Sequence, residues 1–185
     1  MSKGKPGDLT GTGKRSKHWQ DPGAQGRSNF YAWIASLATF LLLNLVFLLE
    51  RGPNTPLRLA GAALLVLSAA FILAPFFQLP RHGGSRPGQS YMQPEAVVDR
   101  VLYGLVRHPQ YLGYMLLACG FALLAQNWLA LVLAALGIGA FYLQAVEEEK
   151  DCLLRFSEAY ERYRQRVPRF NVVLGLMRRL RRDGA

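Results

Sequence analysis

Two short segments of the sequence contain the side chains best suited to ligand chemistry. The first is "RHPQY", in which Arg107 and His108 stand directly before an uncharged stretch that begins at Pro109. The second is the run of three glutamates at 147–149, which directly follows the same stretch. Ionisable groups at the edge of an apolar segment need a partner, which makes them functional-site candidates. Imidazole, tyrosyl ring, carboxylate and the free amides of a helix start suit a small ligand that is both polar and cationic.

Three uncharged stretches predict the helices that must position these groups. Residues 30–49 and 59–79 contain no charged side chain, and each is long enough to cross a hydrocarbon core of roughly 30 Å. The third stretch, 109–146, would extend about 57 Å as one helix, so we predict a hairpin of two helices, 109–125 and 128–146, separated at "AQNW". The expected fold is all-α: an integral membrane helical bundle of about four transmembrane helices, with interfacial and cytoplasmic amphipathic helices.

The distribution of Lys and Arg predicts the orientation. Of the 22 basic residues, the segment 1–29 has six, 80–108 has four and the chain after 146 has ten. Four crossings place these twenty on one side, so we expect both termini to be cytoplasmic in a multi-pass membrane protein. Topology and contacts with anionic membrane lipids account for the net charge of +10. Nucleic-acid binding is not expected, because no basic–aromatic module accompanies the charge.

The chain divides into four regions. Residues 1–28 form a basic cytoplasmic tail, which we expect to be disordered because it has few aliphatic side chains. Two transmembrane helices occupy 29–80. Residues 81–170 contain a glycine- and proline-broken loop, an interfacial helix at about 95–105, the hairpin and an amphipathic helix. A basic tail, 171–185, ends the chain. The 81–170 region contains both candidate segments.

Helical spacing separates the three glutamates. Glu147 shares a face with the polar side chains that follow and is expected to point to water, whereas Glu148 and Glu149 are both expected on the buried side that the apolar stripe continues. Pro109 suits a first helical position, which places His108 at the N-cap beside free amides. A simpler interpretation is that Arg107 extends to water as a snorkelling side chain and that Tyr103, on its own, is an interfacial aromatic residue.

Taken together, the two segments resemble a known family. "RHPQYLGY", followed by "VEEEKDCLLRFSEAYERYRQRVPRF", is similar to the isoprenylcysteine carboxyl methyltransferases and their phospholipid methyltransferase relatives, over about residues 88–170. Those proteins are integral membrane enzymes that use S-adenosylmethionine. The resemblance implies cofactor contacts at ten positions in and before the two segments, namely Glu95, Ala96, Val97, Val98, Tyr103, His108, Pro109, Gln110, Tyr111 and Glu148.

The sequence departs from the isoprenylcysteine enzymes at one substrate position. Those enzymes have an arginine one turn before the glutamate, and this chain has Gln144 there. An amide cannot bind a carboxylate bidentately with charge assistance, whereas a guanidinium can. Arg169 is a second candidate substrate contact, since it follows "VP" and could replace the missing positive charge.

The resemblance implies transfer of a methyl group from S-adenosylmethionine to a lipophilic acceptor in the membrane, as in the isoprenylcysteine enzymes. Two alternatives remain from the residues alone. An amine or phospholipid N-methyltransferase would fit Gln144, because such an acceptor needs no carboxylate partner. A non-enzymatic membrane protein that recruits anionic lipid or a partner would fit the basic tails.

Overall fold

The computed structural model describes residues 22–48, 52–82 and 101–183. Regular structure in these ranges is helical, as the sequence predicts. The elements are α1 (Pro22–Leu48), α2 (Thr55–His82), a 3-10 turn (Val101–Gly104), α3 (Pro109–Ala125), α4 (Trp128–Arg166) and α5 (Val172–Asp183).

Three of the helices are long and apolar enough to cross a bilayer. The qualifying segments are Gly26–Leu48, Thr55–Phe77 and Trp128–Leu154. Helix α3 has 17 residues, which is about 26 Å of rise and the lower end of what a span requires. The chain is therefore a membrane protein, while the fourth crossing and the cytoplasmic position of the termini remain predictions.

The helices pack as two pairs joined by the α3–α4 hairpin. Helix α1 lies mainly against α4 and α2 against α3, with a smaller contact between α1 and α3. Small side chains fill the interior where α1, α3 and α4 meet, which lets the backbones approach closely. The buried members of this cluster are Leu42, Val46, Ala118, Ala122, Ala125, Ala130 and Ala134.

The hairpin turn lies at the predicted polar interruption. Gln126 ends α3 in the left-handed region, with φ 49°, and Asn127 begins α4 by accepting a hydrogen bond from the Leu129 amide at 2.8 Å. The Gln126 side chain also donates to the Asn54 carbonyl at 2.8 Å and accepts from the Asn54 amide at 3.0 Å. The turn between α1 and α2 is thus fixed to the hairpin turn at the same end of the bundle.

Helix α4 extends well beyond the predicted end of the fourth span at 146. It continues to Arg166, and its backbone leaves helical geometry only at Ser157, with φ 44° and ψ −119°. The reason is local: residues 147–156 are mostly Glu, Lys, Leu and Arg, which favour helix. The span and the amphipathic segment after it are therefore one continuous helix as far as Ser157.

Both ends of the described chain are helical within segments that were predicted to be basic tails. Helix α1 begins at Pro22, so residues 22–28 form its first two turns rather than the end of a disordered tail. The basic segment after 171 forms α5. The predicted interfacial helix at 95–105 lies largely outside the described residues, and its described end is the 3-10 turn Val101–Gly104.

Close packing of α2 on α3 depends on two glycines. A Cβ atom at Gly120 would lie 2.7 Å from a Leu65 methyl group and 3.0 Å from the Gly61 carbonyl oxygen. A Cβ atom at Gly61 would lie 2.8 Å from the Gly120 carbonyl oxygen. The two backbones can therefore approach this closely only without side chains.

Gly120→Val should destabilise the bundle by about 1–3 kcal/mol or more, because overpacking forces α2 away from α3. Denaturant unfolding in detergent, followed by circular dichroism, measures the loss. Gly139→Val is the matched control, since a Cβ atom there meets nothing within 4 Å. Equal effects of the two substitutions would contradict this account of the helix contact.

Candidate functional site

The segment before α3 is held in place by a second segment that follows α4. The Arg107 amide donates to the Pro168 carbonyl at 3.0 Å, and the His108 amide donates to the Arg169 carbonyl at 3.4 Å. The Tyr163 hydroxyl donates to the Tyr103 carbonyl at 2.7 Å. These bonds join the two parts of the sequence that contain the candidate residues.

His108 occupies the N-cap position of α3, as predicted, and Pro109 is the first helical residue. The imidazole makes no capping bond; instead its Nε2 atom lies 3.1 Å from Glu149 Oε1. Since an ionised carboxylate only accepts, we infer that Nε2 carries the proton of this bond. The Nδ1 atom then faces Glu148, whose Oε2 atom lies 3.8 Å away.

Glu149 is the centre of a buried charge cluster. Its side chain is 4% exposed, and both carboxylate oxygens are bound by Arg169, with Nε to Oε1 at 2.8 Å and Nη2 to Oε2 at 2.7 Å. Bidentate pairing of this kind is among the strongest polar contacts in proteins. The same bond raises the pKa of Arg169, and a second bond at 2.9 Å joins Arg169 to the Tyr142 hydroxyl.

Arg107 adds a second positive charge to this cluster. Its Nη1 atom lies 3.3 Å from Glu149 Oε1, and its side chain is only 9% exposed. Among the residues the structure describes, Nε and Nη1 of Arg107 have no hydrogen-bond partner with acceptable geometry. Arg107 therefore does not snorkel to water; it depends on Glu149 for compensation of its charge.

Glu148 lies on the open side of the cluster. Its side chain is 48% exposed, and its carboxylate is close enough to Tyr111 to interact with the phenol electrostatically. Burial, and then the negative charge of Glu148, raise the pKa of Tyr103 well above its usual range. That phenol therefore remains a hydrogen-bond donor at neutral pH. Carboxylate, imidazole and two phenols converge here.

Aromatic rings line this part of the molecule. The His108 ring is stacked with Tyr111 at a centroid distance of 5.6 Å, and Tyr111 is stacked with Phe141 at 6.1 Å. The Phe170 ring is also next to His108, tilted against it at a centroid distance of 6.0 Å. Ring faces of this kind favour a cationic ligand, because their π-electrons stabilise positive charge.

The structure brings together most of the predicted site residues. Tyr103, His108, Tyr111 and Glu148 are neighbours, so the predicted convergence of the two segments is confirmed. Glu95, Ala96, Val97 and Val98 lie outside the described residues. For both groups of residues, contact with a cofactor remains a prediction.

The expectation for Glu147 is wrong. Its side chain is only 8% exposed and lies against the start of α1, with Oε2 at 3.5 Å from Arg27 Nε and Oε1 at 2.7 Å from Lys150 Nζ. Helix α1 begins earlier than expected and covers this face of α4. Helical spacing within α4 cannot detect this, because the covering helix comes from another part of the chain.

The expectation for Arg169 also needs revision. This residue was a candidate for binding an acceptor, but its guanidinium is committed to Glu149 and Tyr142. Sequence reasoning missed the central position of Glu149, although helical spacing had left it as one of two candidates. The arginine after "VP" was the available signal, since a buried carboxylate requires a cationic partner.

Glu149→Gln should lower the free energy of unfolding by about 3–5 kcal/mol, because it leaves Arg107 buried without a counter-charge. Denaturant unfolding of the purified protein measures the loss. Glu148→Gln is the matched control: its side chain is 48% exposed, so its effect should stay within about 0.5 kcal/mol. Equal destabilisation by both substitutions would contradict the division of roles between the two glutamates.

Comparison with known proteins gives one family and one curated relative. The sequence profile of the phospholipid methyltransferase family matches residues 57–157, which is 101 of the 185 residues. A protein-S-isoprenylcysteine O-methyltransferase from Schizosaccharomyces pombe is 35% identical over 68 residues. That match covers 36% of this chain and 29% of the relative, so the chain matches less than a third of the relative's length. No solved structure matches the chain.

Proposed function

Because this chain belongs to the phospholipid methyltransferase family, we propose that it transfers a methyl group from S-adenosylmethionine to a lipid-borne acceptor. The observation that supports this most is the position of Glu148. Its half-exposed carboxylate lies 3.8 Å from the imidazole of His108 and beside two tyrosines. A carboxylate so placed is available to a ligand, whereas the adjacent Glu149 is not.

The residues around Glu148 fit S-adenosylmethionine. A carboxylate can accept hydrogen bonds from the ribose hydroxyls or the amino group of the ligand. The aromatic rings of Tyr103 and Tyr111 suit its sulfonium cation. The free amides at the start of α3, which no side chain caps, suit its carboxylate end. The groups around Glu148 therefore match a ligand that contains both a positively charged sulfonium and a negatively charged carboxylate.

Bound S-adenosylmethionine supplies a methyl group that the sulfonium has already activated. The side chains of the site therefore need mainly to bind and orient the reactants, although an ammonium headgroup would also have to lose a proton before its nitrogen could accept the methyl group. Alignment of two reactants can supply roughly 7–11 kcal/mol of a barrier. The fixed frame of Glu149, Arg169 and His108 provides the rigidity that such alignment requires. A lipophilic acceptor would reach the site from the bilayer, which explains why the site lies where α3 begins.

Glu148→Gln should abolish binding of S-adenosylmethionine, because it removes the negative charge and one acceptor from the open side of the cluster. Isothermal titration calorimetry on the purified variant measures this. Glu158→Gln is the control, since that side chain is 89% exposed on the distal part of α4. If the Glu148→Gln variant bound S-adenosylmethionine with wild-type affinity, Glu148 would not be a cofactor-binding residue.

One residue favours an acceptor without a carboxylate. Gln144 stands where the isoprenylcysteine enzymes, which this sequence resembles, have a substrate-binding arginine, and Arg169 is already paired with Glu149. An amine headgroup needs no such arginine. Within the proposed function we therefore favour a lipid amine as the acceptor over a prenylcysteine carboxylate, and the family match over 57–157 agrees with this choice.

Labelled S-adenosylmethionine distinguishes the two acceptors when it is incubated with phosphatidylethanolamine vesicles or with a farnesylcysteine analogue. We expect label in the lipid. Gln144→Arg should raise kcat/KM for the farnesylcysteine analogue by at least about tenfold, since a charged hydrogen bond contributes about 1.5–3 kcal/mol. The Gln144→Lys variant has the same charge as Gln144→Arg but cannot bind a carboxylate bidentately, so the difference between the two variants measures the contribution of bidentate geometry. A wild-type protein that already prefers the farnesylcysteine analogue would contradict the amine candidate.

A further inference from the structure

Helix α5 has two faces of opposite character. Its sequence, "VVLGLMRRLRRD", places apolar residues at helical spacing on one side and arginines on the other. The apolar side chains are open to the surroundings of the protein. Their exposed fractions are 68% for Val173, 47% for Leu176, 48% for Met177 and 62% for Leu180.

The other side of α5 is closed against the protein. A Cβ atom at Gly175 would collide with the carbonyl oxygen of Leu105, so the helix touches the backbone that leads into the site. Arg178 Nη1 donates to the Gln165 carbonyl at 3.1 Å near the end of α4. Asn171 begins the helix by accepting from the Leu174 amide at 2.9 Å. The orientation of α5 is therefore fixed, and its apolar face points away from the bundle.

The depth of α5 is fixed by the same contact. Leu105 lies four residues before Pro109, where the apolar helix α3 begins. The helix thus lies at the end of the bundle where α3 begins and where the apolar segment Trp128–Leu154 of α4 ends. An exposed apolar stripe at this level faces acyl chains and headgroups rather than open solvent.

The charge of α5 indicates the kind of surface it fits. Residues 172–182 contain four arginines and no acidic residue, and Arg178 and Arg181 are exposed. A basic flank beside an apolar stripe is complementary to anionic headgroups. A second copy of this chain would meet the same arginines with like charge and a net charge of +10, so self-association through this face is disfavoured.

We propose that α5 is an interfacial helix that inserts its apolar face into an anionic bilayer surface and holds the segment before α3 at that surface. This proposal concerns membrane attachment and does not depend on methyl transfer. It assigns a specific role to a segment that composition alone describes as a basic tail.

Site-specific photo-crosslinking in reconstituted vesicles tests this. Benzoylphenylalanine is incorporated at Val173, at Leu180 and, as a control, at the exposed position Glu158 of the full-length protein. The vesicles contain phosphatidylcholine alone or equal parts of phosphatidylcholine and phosphatidylglycerol. We expect lipid adducts at 173 and 180, none at 158, and a higher yield in the anionic vesicles.

Substitutions of Arg181 and the size of the crosslinked adducts provide two further tests. Arg181→Gln should lower the lipid-adduct yield at 180 in anionic vesicles to near its value in neutral vesicles, whereas Arg181→Lys should preserve the yield. Adducts of dimer size at 180 would show that a second copy covers the face and would overturn the proposal. The absence of any lipid adduct, with helicity unchanged by circular dichroism, would overturn it as well, and equal yields in the two vesicle types would overturn the anionic requirement.

Discussion

The ion pair between Glu149 and Arg169 is the contact on which the rest of the site depends. It joins the middle of α4 to the segment that follows the same helix, and through His108 and Arg107 it fixes the start of α3. Taking such charges out of water costs several kcal/mol per ion, so the cluster persists only because each charge has a partner. Two arginines around one buried carboxylate leave a positive excess, which the half-exposed Glu148 offsets from the open side.

Two neighbouring glutamates thus have different functions because one helical step turns them to different surroundings. Glu149 is enclosed by cations and stabilises the fold, while Glu148 faces tyrosines and remains accessible. Burial and exposure separate the two roles although the side chains are chemically identical. The same principle applies to Glu147, which is pinned to the start of α1. The three consecutive glutamates therefore have three different sets of neighbours: the start of α1 for the first, the tyrosines for the second and the arginines for the third.

The sequence predicts well those features that depend on local patterns. The α3–α4 hairpin lies where expected, because Gln126 and Asn127 are polar residues within a long apolar stretch and suit helix ends. A buried glutamate predicts a cationic partner, but local patterns do not identify that partner as Arg169, because it is 20 residues away and the packing of the segment after α4 decides the pairing. The burial of Glu147 depends on α1, which is distant in sequence. Helix α5 was visible in principle, since its apolar residues recur at helical spacing, but its four arginines suggested a solvated tail.

An experimental density map of the protein with S-adenosylmethionine bound would test the central claim most directly. The account predicts ligand density between Glu148, Tyr103 and Tyr111, with the bidentate pair of Glu149 and Arg169 intact beneath it. Ligand density elsewhere, or a ligand bound by Glu149 in place of Arg169, would contradict it.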